Sequence, residues 1–317
     1  MTTSTTTTTK AVAFSEFGSA DVLHAIEIGL PSPGPGQVRI AVRAIGVNPL
    51  DSKVRRGAMK EMFPVTFPHV PGYEAAGVVE AVGAGVTDVR AGDDVVGPTI
   101  GGAYAEHALL DAQRLAVKPA SLSWEQAAAL PVALETSWRA LEALAVPAGG
   151  TLLVHGAAGG VGTVLLQLAR ARGIRVIGTA GEGNHAHLRR LGAVPVAYGE
   201  GLADRVRAVA PEGIDAALDA AGRDEAVTAS IELTGGTERV LCIAEMEVAE
   251  RYGVRFSAGD PGGAARSRTA LLAAFELHAG DGLLVPIHRA LPLARASEAQ
   301  RLSEHGHLAG KIVLTVG

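Results

Sequence analysis

The sequence predicts an α/β protein in which a β-rich segment precedes a parallel sheet wound with helices. Three observations carry this. The first third holds short apolar runs of period two, set apart by turn residues. From about Thr151 onward, strand-like and helix-like stretches alternate. A glycine-rich turn, in LLVHGAAGGVG, sits where the first of those strands meets the first of those helices.

Taken in order, the elements begin after a Thr-rich start, MTTSTTTTTK, which is expected to be a disordered tail over 1–9 and lacks the basic region and apolar run of a signal peptide. Val38, Ile40, Val42 and Ala44 share one strand period, bounded by Pro and Gly before and by Gly46, Asn48 and Pro49 after. Gly77 to Val82, Val95 to Gly97 after the turn AGDD, and Gly101 to Leu110 read as further strands. Short strands at turn spacing predict a small barrel or sandwich. Ser123 followed by Gln126 has the spacing of a helix capping box. Then come strand TLLVHG, helix VGTVLLQLARARG, strand RVIGTA, helix NHAHLRRLG, VPVAY, LADRVRAVA, strand IDAALDAAG, SIELTGGTERVLCIA and VRF. Past Gly263, helices near Arg268–His278 and 294–304 and a final strand KIVLTV need not belong to the wound sheet.

Bulk properties narrow the function. The 317 residues suit one large domain or two ordinary ones. With 48% hydrophobic and 19% charged residues the chain can bury a sizeable core. A net charge of −5 argues against a nucleic-acid partner, which needs a basic face. No uninterrupted apolar run reaches membrane-spanning length. Cys242 is the only cysteine, so an intrachain disulfide and a cysteine-based zinc site are excluded, and a reducing cytoplasm is the expected location.

The turn after TLLVH reads Ala157-x-Gly159-x-x-Gly162, the layout of a dinucleotide site with Ala157 in place of the first glycine. Gly159 permits close approach of a pyrophosphate, Gly162 permits close packing of helix on strand, and the helix N-terminus offers free N–H groups. Ala157, Gly159, Gly160, Val161 and Gly162 are thus candidate cofactor contacts; the alternative is a tight turn with no ligand. The acid that would hold a ribose 2′-OH is missing from the tip of the second strand, Thr179, Ala180 and Gly181. Glu182 lies slightly later and keeps NAD open. Asn184, His185, Arg189, Arg190 and Tyr198 are donors close by in sequence that favour NADPH, although the arginine pair is also what a solvated helix face would carry.

Five stretches now converge in order: VRAIGVNPLDSKVRRG, VPGYEAAGVVEAVGAGVTDVRAGDDVVG, AAALPVALETSWRAL, LLVHGAAGGVGTVLLQLARARG and GHLAGKIVLTVG. Together they resemble the zinc-free quinone and enone oxidoreductases of the medium-chain dehydrogenase/reductase superfamily. The resemblance implies a GroES-like β-barrel domain, 1–122 with 262–317, and a Rossmann doubly wound domain, 123–261. It further implies NADPH, a homodimer and an active site between the domains. Zinc-dependent relatives would place their ligands at Asn48, Tyr73 and Val132; none of these is an ordinary zinc ligand. His185/His187 and His305/His307 are spaced i,i+2 and do not share a helix face. Without zinc, alcohol oxidation is disfavoured, while hydride addition to an activated C=C bond or a quinone needs chiefly orientation and donors to the developing oxyanion.

The resemblance makes Asn48, Lys53 and Tyr73 the candidate catalytic residues. The plainer alternatives are a turn residue before Pro49, a solvated lysine and a pocket wall. Asp51 reads as an N-cap of the following helix. Thr136, Ala221, Gly222, Ile243, Ala244, Gly310 and Lys311 match family positions near the nicotinamide end. Glu135 departs from the family pattern and is expected to pair with Arg139 at i,i+4. Cys242 reads as a buried inert thiol. The leading expectation is a zinc-independent NADPH-dependent reductase of enones or quinones. The alternatives are a dedicated enoyl reductase of one biosynthetic pathway and a non-catalytic NADPH-binding or RNA-associated protein. A late edge strand, LCIA or VRF, would pair across a two-fold axis in a homodimer.

Overall fold

A computed structural model describes residues 7–259, 264–280, 282–306 and 308–317. In chain order, the first elements are β1 (Thr8–Ala13), β2 (His24–Gly29), β3 (Gln37–Val47), α1 (Pro49–Arg55), β4 (Glu74–Val82), β5 (Asp94–Ile100), β6 (His107–Asp111), β7 (Ala116–Val117) and α2 (Trp124–Ala128). The middle runs through α3 (Pro131–Leu144), β8 (Thr151–His155), α4 (Gly160–Ala171), β9 (Arg175–Thr179), α5 (His185–Arg190), β10 (Val194–Val196), α6 (Leu202–Val209), β11 (Ala216–Asp219), α7 (Asp224–Thr234) and β12 (Val240–Cys242). The last are α8 (Met246–Tyr252), β13 (Arg255–Phe256), α9 (Ala264–Ala279), β14 (Ile287–Pro292), α10 (Ala296–His305) and β15 (Lys311–Thr315). They form two compact units. The first comprises Met1–Val132, Ser267–Leu272 and Pro286–Gly317; the second comprises Ala133–Arg266 and Ala273–Val285.

In the first unit the period-two pattern of β3 is physical. Val38, Ile40 and Val42 are buried on one face, and their neighbours are less so. β3 pairs antiparallel with both β4 and β6, and β4–β5–β6 complete the ring, so these strands close into a barrel. Val38, Ile40, Val79, Val95, Leu110 and Leu314 fill its core. Each fully buried aliphatic side chain of this size contributes about 1.5–3 kcal/mol. The far end of β3 pairs with β15, Val47 opposite Ile312, and β15 pairs with β14. The strand expected from Gly101 starts only at His107, because Gly101 and Gly102 adopt φ of +80° and +105°, left-handed values that end the extended run. Thr8 and Thr9 pair with β2, so the tail expected over 1–9 does not include them; Met1 to Thr6 lie outside the described residues. The capping box is present, with Gln126 N donating to Ser123 Oγ at 3.2 Å and Ser123 N donating to Gln126 Oε1 at 3.0 Å. Because α2 packs on β3 and β4, the first unit extends to Val132 instead of 122; the expected second boundary, at 261/262, falls outside the described residues.

The second unit is built on a parallel sheet of order β10-β9-β8-β11-β12-β13. The chain moves outward in one direction from β8 to β10, then returns to the other side of β8 and moves outward again. That reversal makes the β8/β11 boundary a topological switch point, where carboxyl-terminal loops diverge and leave a crevice. All five β8 residues are buried, as a strand covered on both faces requires. Leu153, Ile177, Ala217, Val227 and Val240 form its core. β12 lies between β11 and β13, so LCIA is an interior strand and not the free edge expected for it; VRF supplies the edge strand β13. Among the described residues, no helix is long and apolar enough to cross a membrane.

Candidate functional site

In the second unit the candidate cofactor residues gather at the carboxyl ends of the parallel strands. β8 ends at His155, and Gly156 turns the chain with φ +70°. Gly159 is the N-cap of α4, whose first intrahelical bond runs from Thr163 N to Gly159 O at 2.8 Å. The N–H groups of Gly160, Val161 and Gly162 precede that bond, so the positive end of the helix is theirs. A Cβ on Gly162 would lie 2.6 Å from the carbonyl oxygens of both Gly156 and Ala157, whereas one on Gly159 would meet only Gly156 O, at 3.4 Å. Gly162 is therefore required by packing, and Gly159 leaves space on the outer side of the turn. Ser137 Oγ donates to Val161 O at 3.2 Å, which sets α3, with half-buried Thr136, against the turn.

At the tip of β9, Thr179 is buried and its hydroxyl faces inward to His155 Nδ1 at 3.0 Å. His155 Nε2 lies 3.0 Å from Ser230 Oγ on α7. Burial pushes the His155 imidazole down to about 4, so it is neutral near pH 7. Thr179 thus shapes the tip and offers it no outward hydroxyl. Gly181 and half-buried Asn184 follow, and the Tyr198 hydroxyl lies 3.5 Å from where a Gly181 Cβ would be. Glu182 is exposed in a single 3₁₀ turn. Beyond β11, Asp219 Oδ1 accepts from Ala221 N at 2.9 Å and from Gly222 N at 3.0 Å, and Cys242 Sγ donates to Oδ2 at 3.3 Å. Burial raises the Asp219 carboxyl, and the Ala221 and Gly222 N–H bonds act against that rise. Ile243 N donates to Asp219 O, bringing Ile243 and Ala244 to the same end of the sheet. His187 is buried against Thr163 Oγ1, His185 Nε2 lies 3.3 Å from Ala180 O, and His307 lies outside the described residues. Glu135 pairs with Arg139 at 3.1 Å, as its i,i+4 spacing predicts, and also with Arg266 at 3.6 Å.

The first unit holds a second constellation. Asn48 is the N-cap of α1 and Asp51 its third helical residue, not the cap; Asp51 Oδ2 accepts from Asn48 N at 3.0 Å and from the Tyr104 hydroxyl at 2.9 Å. Burial raises the Asp51 carboxyl to about 7, opposed by those two bonds. Lys311, expected near the cofactor, has its ammonium inside the barrel unit, donating to Asn48 Oδ1 at 2.6 Å and to Glu74 Oε1 at 2.7 Å. Asn48 Nδ2 donates to Glu74 Oε1 at 2.8 Å, and Val132 N donates to Glu74 Oε2 at 2.7 Å. Tyr73 is half-buried with its ring edge-on to Phe63, and burial followed by the Asp51 charge raises its phenol well above the ordinary range. Lys53 is half-buried on α1. Sequence patterns did not single out Glu74, Tyr104 or the buried Arg55, which pairs with Glu304 on α10.

The zinc positions do not fit zinc. They hold an amide, a phenol and a valine, and the adjacent Glu74 carboxylate has both oxygens engaged. Among the described residues no group of three or more His, Cys, Asp or Glu is arranged to hold a metal ion.

Two family models match the chain: an alcohol dehydrogenase GroES-like domain over residues 34–120, and a zinc-binding dehydrogenase domain over residues 160–259. The chain is 39% identical to a polyketide synthase of Streptomyces halstedii over 296 residues, 89% of this chain but 5% of the synthase. It is 42% identical to human quinone oxidoreductase over 175 residues, covering 54% of this chain and about half, 53%, of the human protein. Among solved structures, the quinone oxidoreductase of Coxiella burnetii aligns with a TM-score of 0.82 at 30% identity, covering 98% of this chain and 100% of that one. A mycobacterial structure complexed with NADPH aligns with a TM-score of 0.83 at 30% identity, covering 97% and 100%.

Proposed function

The chain belongs to the quinone oxidoreductase-like branch of the medium-chain dehydrogenase/reductase superfamily, and from that premise we propose that it is an NADPH-dependent reductase of quinones or of the C=C bond of α,β-unsaturated carbonyls, working without zinc. The observation that carries the reading is the β8–turn–α4 unit at the switch point of the wound sheet, with an open face at Gly159 and a helix N-terminus beside it. When bound, the dinucleotide would supply hydride. The chain's own residues would hold and orient it: the N–H groups of Gly160, Val161 and Gly162 on the pyrophosphate, and the backbone near Ala221, Ile243 and Ala244, with Thr136, at the nicotinamide. The tip of β9 supports NADPH over NADH. Its last residue turns its hydroxyl inward, and Gly181, Asn184 and Tyr198 border the place where a ribose acid is missing. The mycobacterial relative complexed with NADPH agrees.

On the acceptor side, Asn48 and Tyr73 are the proposed donors and pocket residues, and Lys53 is a further candidate. Activity without a metal is feasible because an enone or quinone spreads the incoming charge to oxygen by itself. The test is NADPH consumption by the purified protein with a panel of enones and quinones, together with calorimetric titration of NADPH and NADH. Failure to bind either dinucleotide would overturn the proposal, and Gly159→Asp is expected to abolish binding. The identity to a polyketide synthase along 89% of the chain favours a second, narrower reading: a dedicated enoyl reductase of one biosynthetic pathway. A thioester-linked enoyl substrate turned over far faster than free enones would select it. A cytoplasmic homodimer completes the proposal, checked by light scattering on a size-exclusion column.

A further inference from the structure

The cluster Lys311–Asn48–Glu74 fixes the orientation of an amide by charge. An ammonium only donates and a carboxylate only accepts, so Asn48 must present Oδ1 to Lys311 and Nδ2 to Glu74, as it does at 2.6 Å and 2.8 Å. An amide nitrogen carries two N–H groups, and the Glu74 bond engages one. Among the described residues the second has no acceptor assigned. Glu74 is 0% exposed and Asn48 is 5% exposed, so of these two buried residues Asn48 is the one that retains some surface. The positive charge on Lys311 draws electron density toward Oδ1, which strengthens the amide N–H groups as donors, while Glu74, accepting on the same nitrogen, works against this.

We propose that Asn48 donates its second N–H to the carbonyl oxygen of the acceptor and that Lys311 and Glu74 are positioning residues, the ammonium acting as an internal cation one amide removed from the substrate. This rests on the reductase reading. When hydride forms a C–H bond at the β-carbon, the C=C electron pair moves to make an enolate, and the negative charge settles on the carbonyl oxygen. Asn48 stabilises that oxygen by its donated hydrogen bond, without giving up the proton. A proton from water then completes the α-carbon. Part of the electrostatic help that a metal gives by direct contact thus arrives here through a polarised amide. Glu74 neutralises the buried ammonium and, through its second oxygen, ties the amide to the Val132 backbone.

The test compares Asn48→Ala, Lys311→Arg, Lys311→Met and the double variant Glu74→Gln/Lys311→Met. The double variant removes both charges of the Lys311–Glu74 pair together, so neither is left buried without the other, which limits the cost to folding. Expected is a fall in kcat of about 100-fold or more for Asn48→Ala and about tenfold for the double variant. The Kd for NADPH should stay at the native value, and Lys311→Arg should retain more activity than Lys311→Met. A readout independent of turnover is the ionisation of bound para-nitrophenol, whose phenolate imitates the enolate oxygen and absorbs in the visible. The native protein should favour bound phenolate, and Asn48→Ala and the double variant should lose that preference. A folded double variant with native kcat and native dye ionisation would overturn the proposal. A native protein that binds NADPH yet reduces no acceptor would sink the reductase reading instead, while the dye titration would still decide whether Lys311 polarises Asn48.

Discussion

Alanine at Gly162 adds one methyl group where the backbone leaves no room. Its Cβ would stand 2.6 Å from the carbonyl oxygens of Gly156 and Ala157, while ordinary contact begins at 3.4 Å, so α4 must retreat from the turn by about 0.8 Å. Both obstacles are main chain and cannot rotate away. Forced overpacking of this kind costs about 1–3 kcal/mol, and the better helix propensity of alanine returns at most about 1 kcal/mol. The second unit should therefore lose roughly 1–2 kcal/mol, or about 2–8 °C in Tm. The retreat also carries the N–H groups of Gly160 and Val161 away from a pyrophosphate, so NADPH affinity falls as well. Gly159→Ala is the control. Its Cβ meets Gly156 O at an ordinary 3.4 Å and its backbone φ is −70°, so stability should hold while the methyl projects into the ligand's space and weakens binding. Differential scanning calorimetry and NADPH titration on both variants separate the effects. Gly162→Ala with native stability, or Gly159→Ala with native NADPH affinity, would refute the assignment of one glycine to packing and the other to the ligand.

Three further outcomes are expected. Burial holds His155 at about 4 against an ordinary 6.5; the unfolded chain takes the proton first, so stability of the second unit is full above pH 6.5 and falls toward pH 4, by up to roughly 3 kcal/mol. His155→Gln should flatten that slope in denaturation experiments across the window, and an unchanged slope would assign the loss elsewhere. Asp51 acts oppositely: raised to about 7 from 3.8, its contribution to the first unit is present below pH 3.8 and is lost as pH rises through about 7, a trend Asp51→Asn should remove. The Cys242 thiol is pushed up to about 11 by burial and by Asp219, so a thiol reagent near pH 8 should label native protein only as fast as the unit opens; labelling at the rate of a small free thiol would contradict this.

What was legible in the sequence depended on reach. Gly162, the Ser123–Gln126 cap and the Glu135–Arg139 pair are local arrangements whose consequence lies within one turn of helix, and spacing alone revealed them. That the second unit holds a parallel sheet wound with helices followed from the alternation of elements, while the strand order is visible only in the structure. The residues that escaped act over long separations. Lys311 meets Asn48 across 263 positions and Glu74 across 237, so no window of sequence shows that its charge is spent inside the barrel. Thr179 stands at the strand tip in the sequence, but only the structure shows that His155, 24 positions earlier, claims its hydroxyl. The overlong strand at Gly101–Leu110 failed for a different reason: composition permits an extended run, but two left-handed glycines interrupt it, and φ is not written in residue type when the residue is glycine.

The pairing of β15 with β3 also bears on how the chain assembles during synthesis. Ala44 to Val47 pair along one side with Ile312 to Thr315, while Ala44 and Ile45 also pair with β4. On the ribosome, most of the second unit, 133–266, emerges before the strand that finishes the first. Until Lys311 follows, Oδ1 of the Asn48 amide and Oε1 of the Glu74 carboxylate lack the cation they share, although the ring of β3, β4, β5 and β6 can already close. Translation thus imposes an order: β8 to β13 are made before the strand that carries Lys311, so the parallel sheet is free to form before the Lys311–Asn48–Glu74 cluster.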